Sequence, residues 1–114
     1  MKKSLLILFF GTGILSAQTS TFITDGDWLD AANWDTGIVV PDNQNALINA
    51  NAVVDRNTGT ANVDNPTRIE IGSGPGASGS VTVSGGTLSG AHGGGNGIFV
   101  GANGGNGTLR VEEG

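Results

Sequence analysis

Between residues 69 and 114 the chain writes one phrase twice. Ile69-Glu70-Ile71-Gly72, followed by Gly79-Ser80-Val81-Thr82-Val83-Ser84-Gly85-Gly86, is matched by Ile98-Phe99-Val100-Gly101 and then by Gly107-Thr108-Leu109-Arg110-Val111-Glu112-Glu113-Gly114. The offset is 29 residues in the first half of the phrase and 28 in the second, so one deletion in the glycine-rich loop relates the copies. Self-similarity at such a period points to a repeat architecture, in which a unit buries its apolar face only against its neighbours.

Each copy holds two short apolar–x–apolar segments. They are Ile69/Ile71 and Val81/Val83 in the first copy, and Ile98/Val100 and Leu109/Val111 in the second. Alternation with period two turns these side chains to one buried face and Glu70, Thr82, Phe99 and Arg110 to a wet one. Phe99 is the exception among the outward residues, and its ring is suited to contacting a neighbouring loop. Two arrangements accommodate such strands. Asn96-Gly97, Asn103-Gly104 and Asn106-Gly107 supply the left-handed turns of antiparallel hairpins. Stacked parallel coils suit the constant spacing better, because equivalent strands then lie on one another with Gly72 and Gly101 at equivalent corners. The parallel arrangement is the expected one.

Upstream, residues 46–50 and 52–54 read as two β-branched strands separated by Asn51 and ended by the turn-forming residues 55–59. A short run over 60–63 leads to Asp64-Asn65-Pro66, where the proline turns Asn65 away from helix. Outside residues 1–17 no window shows helical periodicity, which predicts almost no helix.

Both tryptophans lie in one motif, Gly26-Asp27-Trp28-Leu29-Asp30-Ala31-Ala32-Asn33-Trp34-Asp35-Thr36-Gly37. A large aromatic buries about 150 to 250 Å². In a chain with four Phe, two Trp and no Tyr, the two indoles are most simply the core of an N-terminal cap, which a repeat stack needs over its first coil. The alternative is an aromatic platform stacked on a sugar ring.

A chain of 114 residues has room for one domain, and a hydrophobic fraction of 37% is lean for a conventional globule. Glycine is abundant at 21 residues, but three prolines and no Gly-x-y period exclude collagen. Residues 1–17 have the layout of a secretory signal peptide: Lys2 and Lys3, an apolar stretch over 5–15 broken by Gly11-Thr12-Gly13, and Ser16-Ala17 before cleavage at Gln18. The stretch is too short for a membrane span of about 20 residues. The absence of cysteine means that no disulfide supports the exported fold. Beyond residue 17, three arginines face ten acids, a formal charge of −7 that excludes a nucleic-acid footprint and disfavours anionic lipid.

Candidate chemistry is sparse. Gly74-Pro75-Gly76-Ala77-Ser78-Gly79 matches G-x-G-x-x-G by letter, but a strand follows it where a dinucleotide site needs a helix N-terminus. Glycine runs at 93–97 and 104–107 have Phe99 and Leu109 where a calcium-binding nonapeptide has Asp. Asp25, Asp27, Asp30, Asn33 and Asp35 form the densest oxygen cluster, read either as a Ca²⁺ site or as a solvated turn. His92 is the sole histidine and has no nucleophile framework beside it. Glu70 is a lone acid among the outward positions, and Asn106-Gly107-Thr108 is a glycosylation sequon by pattern only. No residue is assigned a catalytic, cofactor or metal role, and no cofactor is expected.

The motifs Gly26, Trp28, Asn33, Trp34, Gly37, Pro41, Ala46 and Ile48, followed by those of residues 69–89 and 98–111, resemble the start of bacterial exported repeat proteins related to autotransporter passenger domains. That group includes proteins with the autotransporter-associated β-strand repeat and with the type V secretion or PEP-CTERM-associated repeat. The resemblance covers nearly all of the chain after residue 17. It implies a parallel β-helix displayed at or released from the cell surface, generally an adhesin-like stalk without catalysis.

The expected fold is therefore all-β: a right-handed parallel β-helix (β-solenoid) with an N-terminal cap, incomplete at the C-terminus. Residues 1–17 form the signal peptide, 18–45 the lead-in and cap, and 46–114 the coils, with repeats at 69–97 and 98–114. The expected function is a non-catalytic secreted or cell-surface, outer-membrane passenger or stalk. The alternative is a carbohydrate-binding or carbohydrate-active β-helix. Expected partners are the export machinery acting on residues 1–17 and extracellular glycans or cell-surface components, with no nucleic acid. With about two coils, below the three that usually stabilise a solenoid, the piece after residue 17 is expected to be marginal.

Overall fold

The computed structural model describes residues 18–41, 44–62, 68–89 and 97–113. Ten strands run through them: β1 (Gln18–Phe22), β2 (Gly26–Asp27), β3 (Gln44–Ile48), β4 (Asn51–Asp55), β5 (Thr60–Asn62), β6 (Ile69–Ile71), β7 (Ser78–Ser84), β8 (Thr87–Ser89), β9 (Ile98–Val100) and β10 (Asn106–Glu112). Among the described residues there is no α-helix, only 3-10 turns at Ala31–Asn33 and Ala102–Gly104. The strands form three open sheets, ordered β1-β3-β6-β9, β10-β7-β4-β2 and β5-β8. Every ladder is parallel.

Strands adjacent in sequence belong to different sheets, so none of the described ladders is a hairpin. Antiparallel contact is confined to isolated bridges, Phe22 with Trp34 and Asp55 with Gly85. The hairpin reading of the Asn-Gly pairs thus fails where it can be examined. Asn103 does adopt the left-handed conformation (φ 54°, ψ 37°), but inside the 3-10 turn that carries the chain from β9 to β10, which lie in different sheets. Asn106 and Gly107 lie within β10. Asn96 lies outside the described residues, as do residues 1–17, read from the sequence as a signal peptide, and Asp64-Asn65-Pro66, read as a turn.

The two copies of the phrase lie directly on one another. Ile69 pairs with Ile98 and Ile71 with Val100, whereas Val81 pairs with Leu109 and Val83 with Val111. The sequence offsets of 29 and 28 are therefore the ladder register itself. Earlier strands extend the same columns: Phe22, Ile48 and Ile71 in one sheet, Ala52 and Val81 in another. Inward residues of β3, β4, β6 and β7 are buried and their neighbours are not, the pattern that alternation dictates. Each such Val or Ile contributes roughly 1.5–3 kcal/mol on full burial.

Glycine sets how closely successive strands lie at the corners. A Cβ on Gly79 would stand 2.0 Å from the Ile48 carbonyl oxygen, and one on Gly107 would stand 2.0 Å from that of Ile71. Side chains are excluded there by backbone, which a rotamer change cannot move. The same two carbonyls accept the amides of Gly72 and Gly101, both at 2.8 Å.

One strand boundary differs from expectation. The break between β3 and β4 falls at Asn49 and Ala50, and Asn51 opens β4 rather than separating two strands. Asn51 is held there by its amide, which donates to Asp25 Oδ1 (2.8 Å), and by its pairing with Ser80, whose Oγ donates to Asn51 Oδ1 (2.7 Å).

Candidate functional site

The Trp motif is a packed corner. Phe22 and Trp34, and Trp28 and Trp34, meet edge to face with centroids 5.1 Å apart. Trp34 Nε1 donates to the Trp28 carbonyl at 2.8 Å, which satisfies the polar edge of a buried indole. Trp28 is 1% exposed and Trp34 2%, so neither face is open to a sugar. The stacking-platform alternative fails on burial, and the core reading of the two indoles stands.

The acids around that corner cap backbone amides at separate points instead of converging. Asp27 Oδ1 accepts from Leu29 N (2.7 Å), Asp30 Oδ1 from Ala32 N (3.0 Å), and Asp35 Oδ1 from Thr21 N (2.9 Å). Asp25 accepts from the Asn51 amide, and the buried Asn33 donates its Nδ2 to the Asp27 carbonyl (3.1 Å). Among the described residues no three His, Cys, Asp or Glu side chains are grouped as metal ligands. Short Asp side chains suit these turns because they reach their own backbone two residues on.

One polar cluster was not visible in the sequence. Thr58 Oγ1 accepts from the Asp55 amide (3.0 Å) and lies 2.9 Å from Asp27 Oδ2 and 3.1 Å from Asp55 Oδ1. Asp55 Oδ1 already takes the amides of Asn57 (2.8 Å) and Thr58 (3.0 Å). The single hydroxyl proton therefore goes to Asp27, tying the turn after β4 to β2 across 31 residues of chain. The Thr58 amide, with lesser help from the Asn57 amide, holds the Asp55 carboxyl below its ordinary range against the opposing effect of burial.

The outward residues also separate. Glu70 lies on the β1-β3-β6-β9 sheet, whereas Thr82 and Arg110 are register neighbours on the β10-β7-β4-β2 sheet. Glu70 is paired with Arg68 (2.9 Å), whose guanidinium lies 5.5 Å from the centroid of the Phe99 ring; this cation–π contact is what Phe99 makes. Arg110 pairs with Glu112 at 2.7 Å on an exposed face. No second acid stands opposite Glu70 in its ladder, where Leu47 and Phe99 flank it. The G-x-G-x-x-G letters of 74–79 lead into β7, a strand, as expected. His92 lies outside the described residues.

The most distinctive surface is the free edge of β9 and β10. Ile69, Ile71, Val81 and Val83 are buried, but their equivalents Ile98, Val100, Leu109 and Val111 are 37%, 45%, 37% and 73% exposed. The apolar pattern is the same in both copies, but among the described residues the second has neither a strand on its outer side nor a counterpart of β8, whose Leu88 packs on the core. At the opposite end the edge is covered over residues 21–23: Asp35 N donates to Thr21 O (2.8 Å), Ile23 N to Asn33 O (2.7 Å), and Thr21 N to the Asp35 carboxylate.

Comparison with known proteins adds no identity to this geometry: no family model, curated protein or solved structure matches the chain.

Proposed function

We propose that the chain is a right-handed β-solenoid module with an N-terminal cap at 18–45 and coils from 46 onward. Its role is that of a non-catalytic stalk, secreted or carried on a bacterial surface, of the passenger type that its motifs resemble. The observation that supports this most directly is the parallel register of the two phrases, Ile69 on Ile98 and Val81 on Leu109. The chain visits the three sheets in the same order over β3-β4-β5 and β6-β7-β8 and the first two again over β9-β10, as successive coils of a solenoid would, and such a path extends a surface without building a cavity. Capped acids, a Glu70 with no acid opposite it in its ladder and buried indoles leave the described residues with little equipment for glycan chemistry, which favours the stalk over the carbohydrate reading. Residues 1–17 direct export in this reading.

The test is to express the whole chain in a bacterial host, fractionate the cells and medium, and sequence the N-terminus of the product. Protein outside the cytoplasm that begins at Gln18 and shows amide–Hα cross-peaks between the strands of Ile69 and Ile98 supports the reading. Retention in the cytoplasm with Met1 in place removes the export half. Absence of those cross-peaks in folded protein removes the solenoid.

A further inference from the structure

The free edges of β9 and β10 repeat a surface that is already occupied one step earlier in the molecule. The edges of β6 and β7 are covered, and what covers them is a copy of the phrase laid parallel to them. That covered interface defines what a covering segment must be. Its inward residues fall on inward residues, Ile98 on Ile69 and Leu109 on Val81. Its first corner glycine donates to the carbonyl below, as Gly72 does to Ile48 O and Gly101 to Ile71 O. Its second lies flat against that same carbonyl, as Gly79 and Gly107 do, where a Cβ would come within 2.0 Å. Val100 is the next member of the Ile48, Ile71 column.

Charge narrows the choice further. A cover identical to residues 98–112 in the same register sets Arg110 opposite Arg110 and Glu112 opposite Glu112. Like charges directly opposite in a ladder are unfavourable. A cover of the first-phrase type sets Thr82 and Ser84 there, the neutral neighbours that Arg110 and Glu112 already have on their covered side. A folded second copy offers no β1 edge that is open along its whole length, because residues 33–35 bond to residues 21–23 there.

We infer that the β9/β10 edge is a docking surface for one unpaired segment of the first-phrase type, Ile-x-Ile-Gly followed by Gly-x-Val-x-Val with uncharged outward side chains in its second half. The segment adds as a parallel pair of strands. The inference rests on the solenoid reading and assigns its open end a sequence preference.

The test lengthens the full chain after Gly114 by residues 87–97 and then 69–84, which preserves the natural spacing. Amide exchange at β9 and β10 is read by NMR. The extension is expected to slow that exchange by about tenfold or more. A scrambled extension, or one carrying Gly72→Ala and Gly79→Ala in the added copy, is expected to leave it unchanged. An extension with Thr82→Arg and Ser84→Glu in the added copy is expected to protect less. Equal protection by the scrambled or alanine extension, or none by any extension, overturns the docking surface. Cross-peaks between Ile69 and Ile98 in the unextended chain separate the two failures: with them present the solenoid stands and the docking surface alone falls, and with them absent both fall.

Discussion

A methyl group on Gly79 has nowhere to go. Its Cβ would stand 2.0 Å from the Ile48 carbonyl oxygen and 2.8 Å from the Ile48 carbonyl carbon, so Gly79→Ala must push two strands apart. The expected cost is about 1–3 kcal/mol, the range for overpacking a well-packed interior. Ser80→Ala next to it loses one exposed hydrogen bond to Asn51 and is expected to cost about 0.5–1 kcal/mol. Urea titrations of both variants check the order, and an equal loss would remove the close-approach argument. Asp55 makes a second residue-scale prediction through pH. Its folded pKa lies below the reference value of 3.8 because the Thr58 and Asn57 amides bind the carboxylate. The unfolded state therefore binds the proton more readily, so the contribution of Asp55 is complete above 3.8 and is lost as pH falls through the lower folded value. In melts taken from about pH 6 down to about pH 2, Asp55→Asn is expected to flatten part of the acid-side decline; an unchanged profile would sink the assignment. Of these features, the paired glycines were legible because they recur at the repeat spacing. Thr58 was not, since its partner Asp27 is 31 residues away and nothing local marks the contact.

Elements are held by what lies across the stack from them. The register of β6 on β9 and β7 on β10 was legible because the nearly constant offset between the two copies suits strands that lie parallel, equivalent residue on equivalent residue. The start of β4 was not legible, since Asn51 looks like a turn residue until Asp25 is found capping its amide. The Trp motif had two readings because an indole that stacks on sugar and an indole that fills a core have the same composition. Burial decides between them. Trp34→Phe keeps a ring against Phe22 and Trp28 but leaves the Trp28 carbonyl without its donor at 2.8 Å, with an expected cost of about 1–3 kcal/mol. Trp34→Ala removes the ring as well and is expected to cost about 3–5 kcal/mol. The near-ultraviolet circular dichroism of the two coupled indoles should collapse in the alanine variant. A native spectrum there would show that the corner does not support the first strands.

At the scale of the whole molecule the two ends are unlike, and a repeat makes that difference measurable. Val83 and Val111 occupy the same position of the phrase and are ladder partners, yet Val83 is 7% exposed and Val111 73%. A strand lies on the outer side of Val83 and none on that of Val111, and β8, which follows the first copy, has no described counterpart after the second. Val83→Lys places an ammonium inside the stack without a partner, and its expected cost is about 3 kcal/mol or more. A loss of that size is a large fraction of the marginal stability of a small domain and should abolish the folded state. Val111→Lys puts the same charge in water and is expected to change stability by no more than about 0.5 kcal/mol. It also places a lysine on an exposed, flat edge, which is how natural sheets discourage unwanted pairing. The expected result is a folded protein whose light scattering rises less with concentration and time than that of the parent chain. Thermal melts and dynamic light scattering on the two variants decide the matter together. If Val111→Lys unfolds the chain as Val83→Lys does, the β10 edge is covered in solution and the asymmetry of the two ends is wrong; if it folds but associates as readily as the parent, the β9/β10 edge is not the surface through which copies meet.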